Sequence, residues 1–413
     1  MSTFAELGLS PELLRAVRDA EYHTPTPIQE HAIPAVLQGS DVLACAQTGT
    51  GKTAGFLLPI LQQLAQGQLF SPQLRALVLS PTRELASQTG DNARAYSKYL
   101  RLRSTTVFGG VRLGPQIERL RTGVDLLIAT PGRLMDLVER GTVKFNKLEV
   151  LVLDEADHML DLGFLPTVRQ LLHMLPTSRQ TLMFSATMPP EIERLTREML
   201  QSPVIINVGR RATPVEAVRQ VLYAVEGEKK RDLLCHLLQH GHMRQVLVFT
   251  RTKVRADRLT RHLAQKGRRV ATLHGGKSQN ARTQALSGFR NGKVEVLVAT
   301  DIAARGLDVD GISHVVNFDV PPTVEEYVHR IGRTARATAT GDAISLVSAD
   351  EVPFIRTIER GIGSPIPHQI VKGFAPAVDH LQAPARPPLS HAARIANGSI
   401  RHFAPRRRAQ RSL

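Results

Sequence analysis

Along the first half of the chain, short runs of almost unbroken apolar residues alternate with longer stretches whose apolar positions recur at helical spacing. The runs are DVLACA (41–46), RALVLSP (75–81), DLLIATP (125–131), VLVLD (150–154) and TLMFSAT (181–187). Strands that are apolar on both faces and separated by helices predict a parallel sheet covered on both sides. The alternation starts again with QVLVFT (245–250), RVATLHG (269–275), VEVLVATD (294–301), HVVNFD (314–319) and GDAISLVS (341–348). Between the halves, NVGRRATPVEAVRQ (207–220) interrupts it with glycine, proline and charge, and a linker is expected over 208–217. The pattern therefore predicts two α/β domains, over 1–207 and 218–371. Beyond Lys372 the pattern fails. Residues 372–413 are rich in proline, alanine and arginine with almost no acids, which predicts a flexible basic tail.

Composition narrows the class. A chain of 413 residues with 42% hydrophobic residues can build real cores. No apolar run approaches the twenty or so residues of a membrane span, and the N-terminus lacks the basic and apolar regions of a signal peptide. The two cysteines, Cys45 and Cys235, lie far apart and form no ligand pattern, so both are expected as small core residues in a reducing, cytoplasmic setting. Lys plus Arg number 53 against 37 Asp plus Glu, a net charge of +16 that favours a polyanionic partner, nucleic acid first. An anionic membrane or a ribosome would select a similar excess. Aromatics make up only 4% and tryptophan is absent, which disfavours a base-stacking platform and points to a grip on the backbone.

Two segments carry chemistry in the first half. AQTGTGKT (46–53) sits between a strand and a helical stretch, the setting of a phosphate-binding P-loop, although Ala46 stands where the generic pattern has glycine. Gly49 and Gly51 let backbone N–H groups face phosphate oxygens, and Gln47, Thr48 and Thr50 complete the loop. Lys52 would reach the β- and γ-phosphates and Thr53 would bind Mg²⁺. LVLDEADHML (151–160) ends a strand in Asp154, Glu155 and Asp157. Such acids can simply cap a helix. Beside a P-loop the sharper reading is that Asp154 holds the metal and Glu155 polarises the attacking water as general base. Asp157, on the following turn, is placed to touch another loop.

Together AQTGTGKT, PTRELA (81–86), TPGR (130–133), DEAD (154–157) and SAT (185–187) resemble the DEAD-box RNA helicases, in family order and over residues 4 to 370. The resemblance implies two tandem RecA-like P-loop domains and an ATP-dependent RNA helicase with ATP and Mg²⁺ as cofactors. YHTPTPIQ (22–29) is similar to the family's Q motif. Gln29 would then read adenine, Tyr22 would lie against the base, and Phe4 would match the upstream aromatic. The family usually has glycine just before Tyr22, where this chain has Glu21. Ser185 and Thr187 would couple hydrolysis to RNA grip by bonding near Asp157. Pro81, Thr82, Arg83, Gly109, Gly110, Thr130 and Arg133 match the first domain's contacts to RNA phosphates, which carry no sequence information.

In the second half HRIGRTAR (329–336) aligns three arginines on one helix face. By resemblance Arg333 and Arg336 are arginine fingers for the γ-phosphate, while His329 and Arg330 organise the loop and its links to SAT. Thr300 would touch RNA and Asp308 the ATP ribose, and Thr252, Gln279 and Arg282 would complete the RNA face. Neither half holds a complete site, so ATP and RNA together would close the cleft and pry apart a short duplex. A monomer gripping RNA through its backbone is expected, compatible with ribosomal or RNA-processing complexes. The runner-up is an ATP-dependent RNA clamp with little productive unwinding. Within the family the run 32–56 looks most like the bacterial RhlE subgroup.

Overall fold

Each apolar run named above becomes a strand because only a doubly covered sheet buries both of its faces. The computed structural model describes residues 3–46, 49–67, 73–208, 218–241, 243–304, 311–334, 341–376, 379 and 381. The first domain runs α1 (Pro11–Asp19), α2 (Pro27–Leu37), β1 (Val42–Cys45), α3 (Lys52–Gln66), β2 (Ala76–Leu79), α4 (Arg83–Tyr96), β3 (Ser104–Val107) and α5 (Gly114–Arg121). It continues with β4 (Leu126–Ala129), α6 (Pro131–Glu139), β5 (Val150–Leu153), α7 (Ala156–Asp161), α8 (Leu165–His173), β6 (Gln180–Ser185), α9 (Pro190–Met199) and β7 (Val204–Asn207). Its sheet has seven strands in the order β3-β4-β2-β5-β6-β1-β7, all paired in parallel.

Alternate residues of one strand feed different cores. Val42 and Ala44 of β1 join the cluster under α2 and α3, whereas Leu43 joins the cluster under α6, α8 and α9. Because all strands run the same way, the loops after β1, β2, β4, β5 and β6 emerge at one end of the sheet. That places the P-loop, PTRELA, TPGR, DEAD and SAT side by side, at the end where open α/β sheets bind ligands.

The second domain repeats the plan with β8 (Val218–Ala224), α10 (Lys230–His240), β9 (Val246–Phe249), α11 (Lys253–Gln265), β10 (Val270–Leu273), α12 (Gln279–Arg290), β11 (Val296–Ala299) and α13 (Asp301–Ala304). Then follow β12 (His314–Asn317), α14 (Val324–Ile331), β13 (Gly341–Val347), α15 (Val352–Ile362) and β14 (His368–Gln369). The seven strands lie in the order β10-β11-β9-β12-β13-β8-β14, again parallel. The expectation of two tandem RecA-like domains is met by these sheets. One buried ion pair, Lys230 with Glu351, ties α10 to the start of α15, and Lys230 also donates to the Phe318 carbonyl at 2.9 Å.

The start of the tail and the burial of the cysteines differ from expectation. Residues 209–217 of the expected linker lie outside the described residues, between β7, which ends at Asn207, and β8, which begins at Val218. Packing also passes the expected start of the tail at 372. Phe374 sits 5.4 Å from the His236 ring and Leu381 rests on the core under α15, because these apolar residues cover surface the sheet leaves open. The rest of the expected tail, from 382, lies outside the described residues. Cys45 and Cys235 are free and only half-buried, not core residues, since each stands where its element meets a loop or the surface. No helix among the described residues is long and apolar enough to cross a membrane.

Candidate nucleotide site and RNA interface

The P-loop is shaped by two glycines in the left-handed region, Gly49 at φ 86° and Gly51 at φ 89°. Gly51 is doubly required, because a Cβ there would lie 2.5 Å from Gln29 Nε2. Gln29, buried on α2, donates from Nε2 to the Gly51 carbonyl at 3.1 Å and accepts from the Thr26 N–H at 2.9 Å. Thr26 Oγ1 donates to the Thr50 carbonyl at 2.8 Å. These bonds use one hydrogen and one lone pair of the Gln29 amide, leaving one donor and one acceptor for a base edge. Tyr22 is exposed, and its hydroxyl lies 3.1 Å from that of Tyr96. Glu21, where the family favours glycine, adopts φ 59°, so the glycine-like turn is kept by a residue that strains to make it. Phe4, expected at the nucleotide, is buried in the first domain's core with Leu7 and Leu9, where it anchors the N-terminal segment.

Lys52 opens α3 and is 5% exposed, yet its ammonium has no hydrogen-bond partner among the described residues. A buried, unpartnered cation at the mouth of a glycine loop is a site made for an anion. Thr53 follows it in the first turn. One strand over, past β6, β5 ends at Asp154 and Glu155, both buried. Burial pushes Asp154 up to about 7 against the opposing charge of Lys52, with Glu155 adding to the rise. An acid held so high for want of neutralising charge is one a divalent cation would ionise. Asp154 with Thr53 therefore fits Mg²⁺, which takes one or two protein ligands and keeps water and phosphate oxygens for the rest.

Glu155 sits in the left-handed region at φ 52° and caps α7. Burial alone would raise its pKa. The hydrogen bond with His158, together with the charges of Lys52 and Arg333, holds it below the ordinary carboxylate range. His158 Nδ1 lies 3.1 Å from Glu155 Oε2, while its Nε2 is buried without a partner among the described residues. Asp157 binds the next loop. Its Oδ2 accepts from Ala186 N, Thr187 N and Thr187 Oγ1 at 3.1, 2.8 and 3.0 Å, and its own N–H donates to Ser185 Oγ at 3.3 Å. The strand-end acids thus split between a nucleotide face, Asp154 and Glu155, and a link to SAT, Asp157.

Across the cleft, Arg333 lies at the end of α14, is 7% exposed, and is close enough to stabilise the Glu155 anion. Its Nε donates to the His329 carbonyl at 3.3 Å. Arg330 turns inward, not toward SAT. It donates to Asp301 Oδ2 at 2.7 Å, Asn317 Oδ1 at 3.1 Å and the Asp319 carbonyl at 2.6 Å, with its guanidinium 5.0 Å from the Phe249 ring centre. Gln47, Thr48, Asp308 and Arg336 lie outside the described residues.

The expected RNA residues of the first domain follow β2, β3 and β4 and so stand along one rim of its parallel sheet. Thr82 caps α4 by accepting from Leu85 N at 3.2 Å, and Pro81 before it is buried. The Arg83 guanidinium lies where a Cβ on Gly110 would be, 1.9 Å from Arg83 Nη1, and Gly110 has φ 78°. Arg133 on α6 donates to the Val111 carbonyl at 3.4 Å, and Thr130 caps the same helix. In the second domain Thr300 accepts from Ala303 N and Ala304 N, and exposed Thr252 caps α11 by accepting from Arg255 N at 3.2 Å. Gln279 and Arg282 are turned elsewhere. Arg282 Nη2 donates to Glu84 Oε2 at 2.7 Å and Gln279 Nε2 to Glu84 Oε1 at 3.1 Å, which clasps α12 to α4 across the cleft. Sequence reading passes over Glu84 and His158. Both stand inside segments it marks, PTRELA and DEADH, and only their partners in space give them roles.

The DEAD/DEAH box helicase family matches residues 26–195, and the helicase conserved C-terminal domain matches residues 229–338. The chain belongs to the DEAD-box ATP-dependent RNA helicases. The ATP-dependent RNA helicase CshA of Limosilactobacillus reuteri is 41% identical over 357 residues, covering 86% of this chain and 71% of the relative. S. cerevisiae Dbp5 bound to RNA and ADP BeF3 superposes with a TM-score of 0.79 at 30% identity, over 90% of this chain and 96% of Dbp5. Mss116p bound to ssRNA and AMP-PNP gives 0.80 at 26% identity, over 89% and 78%. Both comparisons span the two helicase domains in a single superposition, so the arrangement of the domains in this DEAD-box chain, clasped at Glu84, is shared with proteins holding RNA and a nucleotide.

Proposed function

We infer that this chain is an RNA-stimulated ATPase that uses closure of its two domains to open short RNA duplexes or remodel RNA–protein complexes. The observation that carries the reading is the buried Lys52 ammonium, without a hydrogen-bond partner among the described residues, placed beside Asp154 and Glu155 and faced by Arg333. Lys52 and the loop N–H groups bind the phosphates and orient the γ-phosphoryl group. Glu155, kept ionised, accepts a proton from the water that attacks phosphorus as the bond to the bridging oxygen of ADP breaks. Arg333, with Arg336 as its expected companion, offsets charge on the equatorial oxygens. Mg²⁺, held by Asp154 and Thr53, would neutralise the β- and γ-phosphates.

Asp157 joins this chemistry to SAT, and the RNA rim is built on the neighbouring loops. Each ligand that favours the closed domains raises affinity for the other. Pro81, Thr82, Arg83, Gly109, Gly110, Thr130, Arg133, Thr252 and Thr300 hold the backbone without reading sequence. Gln279 and Arg282 act by closing the cleft. The protein works as a cytoplasmic monomer on RNA and in ribosomal or RNA-processing complexes. The run 32–56 supports the RhlE type within the family.

The deciding experiment is steady-state ATP hydrolysis with no nucleic acid, with single-stranded RNA and with DNA of equal length, alongside Glu155→Gln. Stimulation by RNA alone, lost in the variant with nucleotide binding intact, is the expected result. Equal stimulation by DNA, or none, would refute the coupling and leave an ATP-dependent clamp.

A further inference from the structure

Away from the cleft, α4 and β3 enclose a groove that the reaction does not use. It opens at the rim of the first sheet, where β3 is the terminal strand. Its volume is about 410 Å³, and Ser87, Arg94, Ser104, Thr106, Phe108 and Arg119 line it. Apart from Phe108 these side chains offer only hydroxyl and guanidinium groups, and the outward N–H groups of an edge strand add donors. The charge is lopsided, since between Asn92 and Thr122 Glu118 is the single acid. Arg94 is tied to Asp91 on the same helix, an ion pair in which both side chains are more than half exposed and which contributes little. One end of the groove runs into the RNA rim. Ser87 lies one helical turn from Arg83 on α4, and Phe108 directly precedes Gly109.

We propose that this groove is a second RNA subsite, which holds the sugar-phosphate backbone of the single strand where it runs past Arg83 and Gly109. The proposal rests on the reading of the rim as RNA-binding. A lining of hydroxyl and guanidinium donors suits phosphate oxygens, and the continuity with Arg83 supplies the path. An acidic peptide added to the β3 edge would use the same arginines but gains nothing from that continuity.

The test uses the full chain with a non-hydrolysable ATP analogue. It compares the wild type, the Arg94→Ser/Arg119→Ser double variant and Ser87→Asp. Each is titrated with an RNA strand just long enough to fill the cleft, and with the same strand extended at the 5′ or the 3′ end. The wild type is expected to gain several-fold in affinity from extension at one end only. Both variants lose that gain, while affinity for the short strand and the ATPase kcat stay unchanged. The salt slope of the double variant on the extended strand should fall by about 1.4, from about 0.7 per single-strand phosphate contact. An equal loss on short and extended strands, or a wild type indifferent to extension at either end, would overturn the subsite. Competition by a polyglutamate peptide that leaves the gain from extension intact would overturn it too. Failure of the short strand to bind the wild type would instead overturn the reading of the rim itself.

Discussion

Replacing Glu84 with alanine should weaken the closed state without touching either ligand. The Glu84 side chain is 3% exposed and that of Arg282 8%, so their ion pair across the cleft is shielded from water. Two bonds to the Glu84 carboxylate are lost, one from the Arg282 guanidinium at 2.7 Å and one from the Gln279 amide at 3.1 Å. Each hydrogen bond to a charged group is worth about 1.5–3 kcal/mol, so the pair contributes about 3 kcal/mol at the low end. Arg282 Nε is already without a partner among the described residues, so removal of Glu84 leaves the guanidinium buried with little compensation. Burial already pushes the Arg282 pKa down, with Glu84 opposing, which marks the site as a costly place for a lone charge. When the domains part, both groups return to water, so the loss of about 3 kcal/mol falls on the open–closed equilibrium. That is about a hundredfold shift toward open. Energy transfer between dyes on the two domains, with RNA and an ATP analogue, should show the closed population collapse. RNA affinity in the presence of the analogue should fall by up to the same factor, while ATP affinity without RNA is unchanged. Arg282→Ala should cost a similar amount and the double variant little more than either single one. A Glu84→Ala protein that closes like the wild type, or that loses RNA affinity equally without nucleotide, would refute the clasp.

Other substitutions test other links. Gly51→Ala forces a side chain into φ 89° and against Gln29, and should cost about 1–3 kcal/mol of backbone strain, read as weaker ATP binding by equilibrium titration. Glu21→Gly relieves φ 59° and should raise Tm by a few degrees with ATPase activity unchanged; an unchanged or lower Tm counts against strain at that turn. His158→Ala frees the Glu155 carboxylate and should lower kcat about tenfold with KM for ATP unchanged, while His158→Asn, which keeps a donor near Nδ1, recovers part of it. Burial lowers the His314 pKa below its ordinary 6.5, with Arg219 adding and Asp342 opposing. The unfolded chain then binds the proton first, so stability present above about pH 6.5 is lost as pH falls toward the folded value. His314→Asn should flatten that part of a urea-midpoint profile, and an identical profile would exclude His314 as its source.

Sequence reading succeeds where burial is two-sided and motifs are contiguous. β1, β2, β4, β5 and β6 are apolar along their length because helices cover both faces, and each is visible as a run. β3, with Ser104, Thr105 and Thr106, and β8, which alternates Val218, Arg219, Gln220 and Val221, escape it because strands at or near a sheet edge mix polar residues into the pattern. β14 is two residues long and leaves no signal. In the site, Lys52, Asp154 and Glu155 can be read because each follows a buried strand within one motif. Gln279 and Arg282 are expected at RNA because nothing local hints at Glu84, 195 and 198 residues away. Arg330 is expected to organise its loop and the links to SAT, but its partners come from two other segments of its own domain, Asp301 after β11 and Asn317 with Asp319 at the end of β12, a convergence that no spacing encodes.

Glu155 holds a left-handed backbone that glycine would adopt freely. A population of variants screened only for folding, by resistance to heat or protease, should therefore enrich Glu155→Gly and discard the residue proposed as general base. Growth under a demand for ATP-driven RNA remodelling should purge the same change. Position 155 is thus one where the folding landscape and the catalytic one slope in opposite directions, and comparing the two enrichments at that single codon would measure how much stability this enzyme forgoes to keep its base in place.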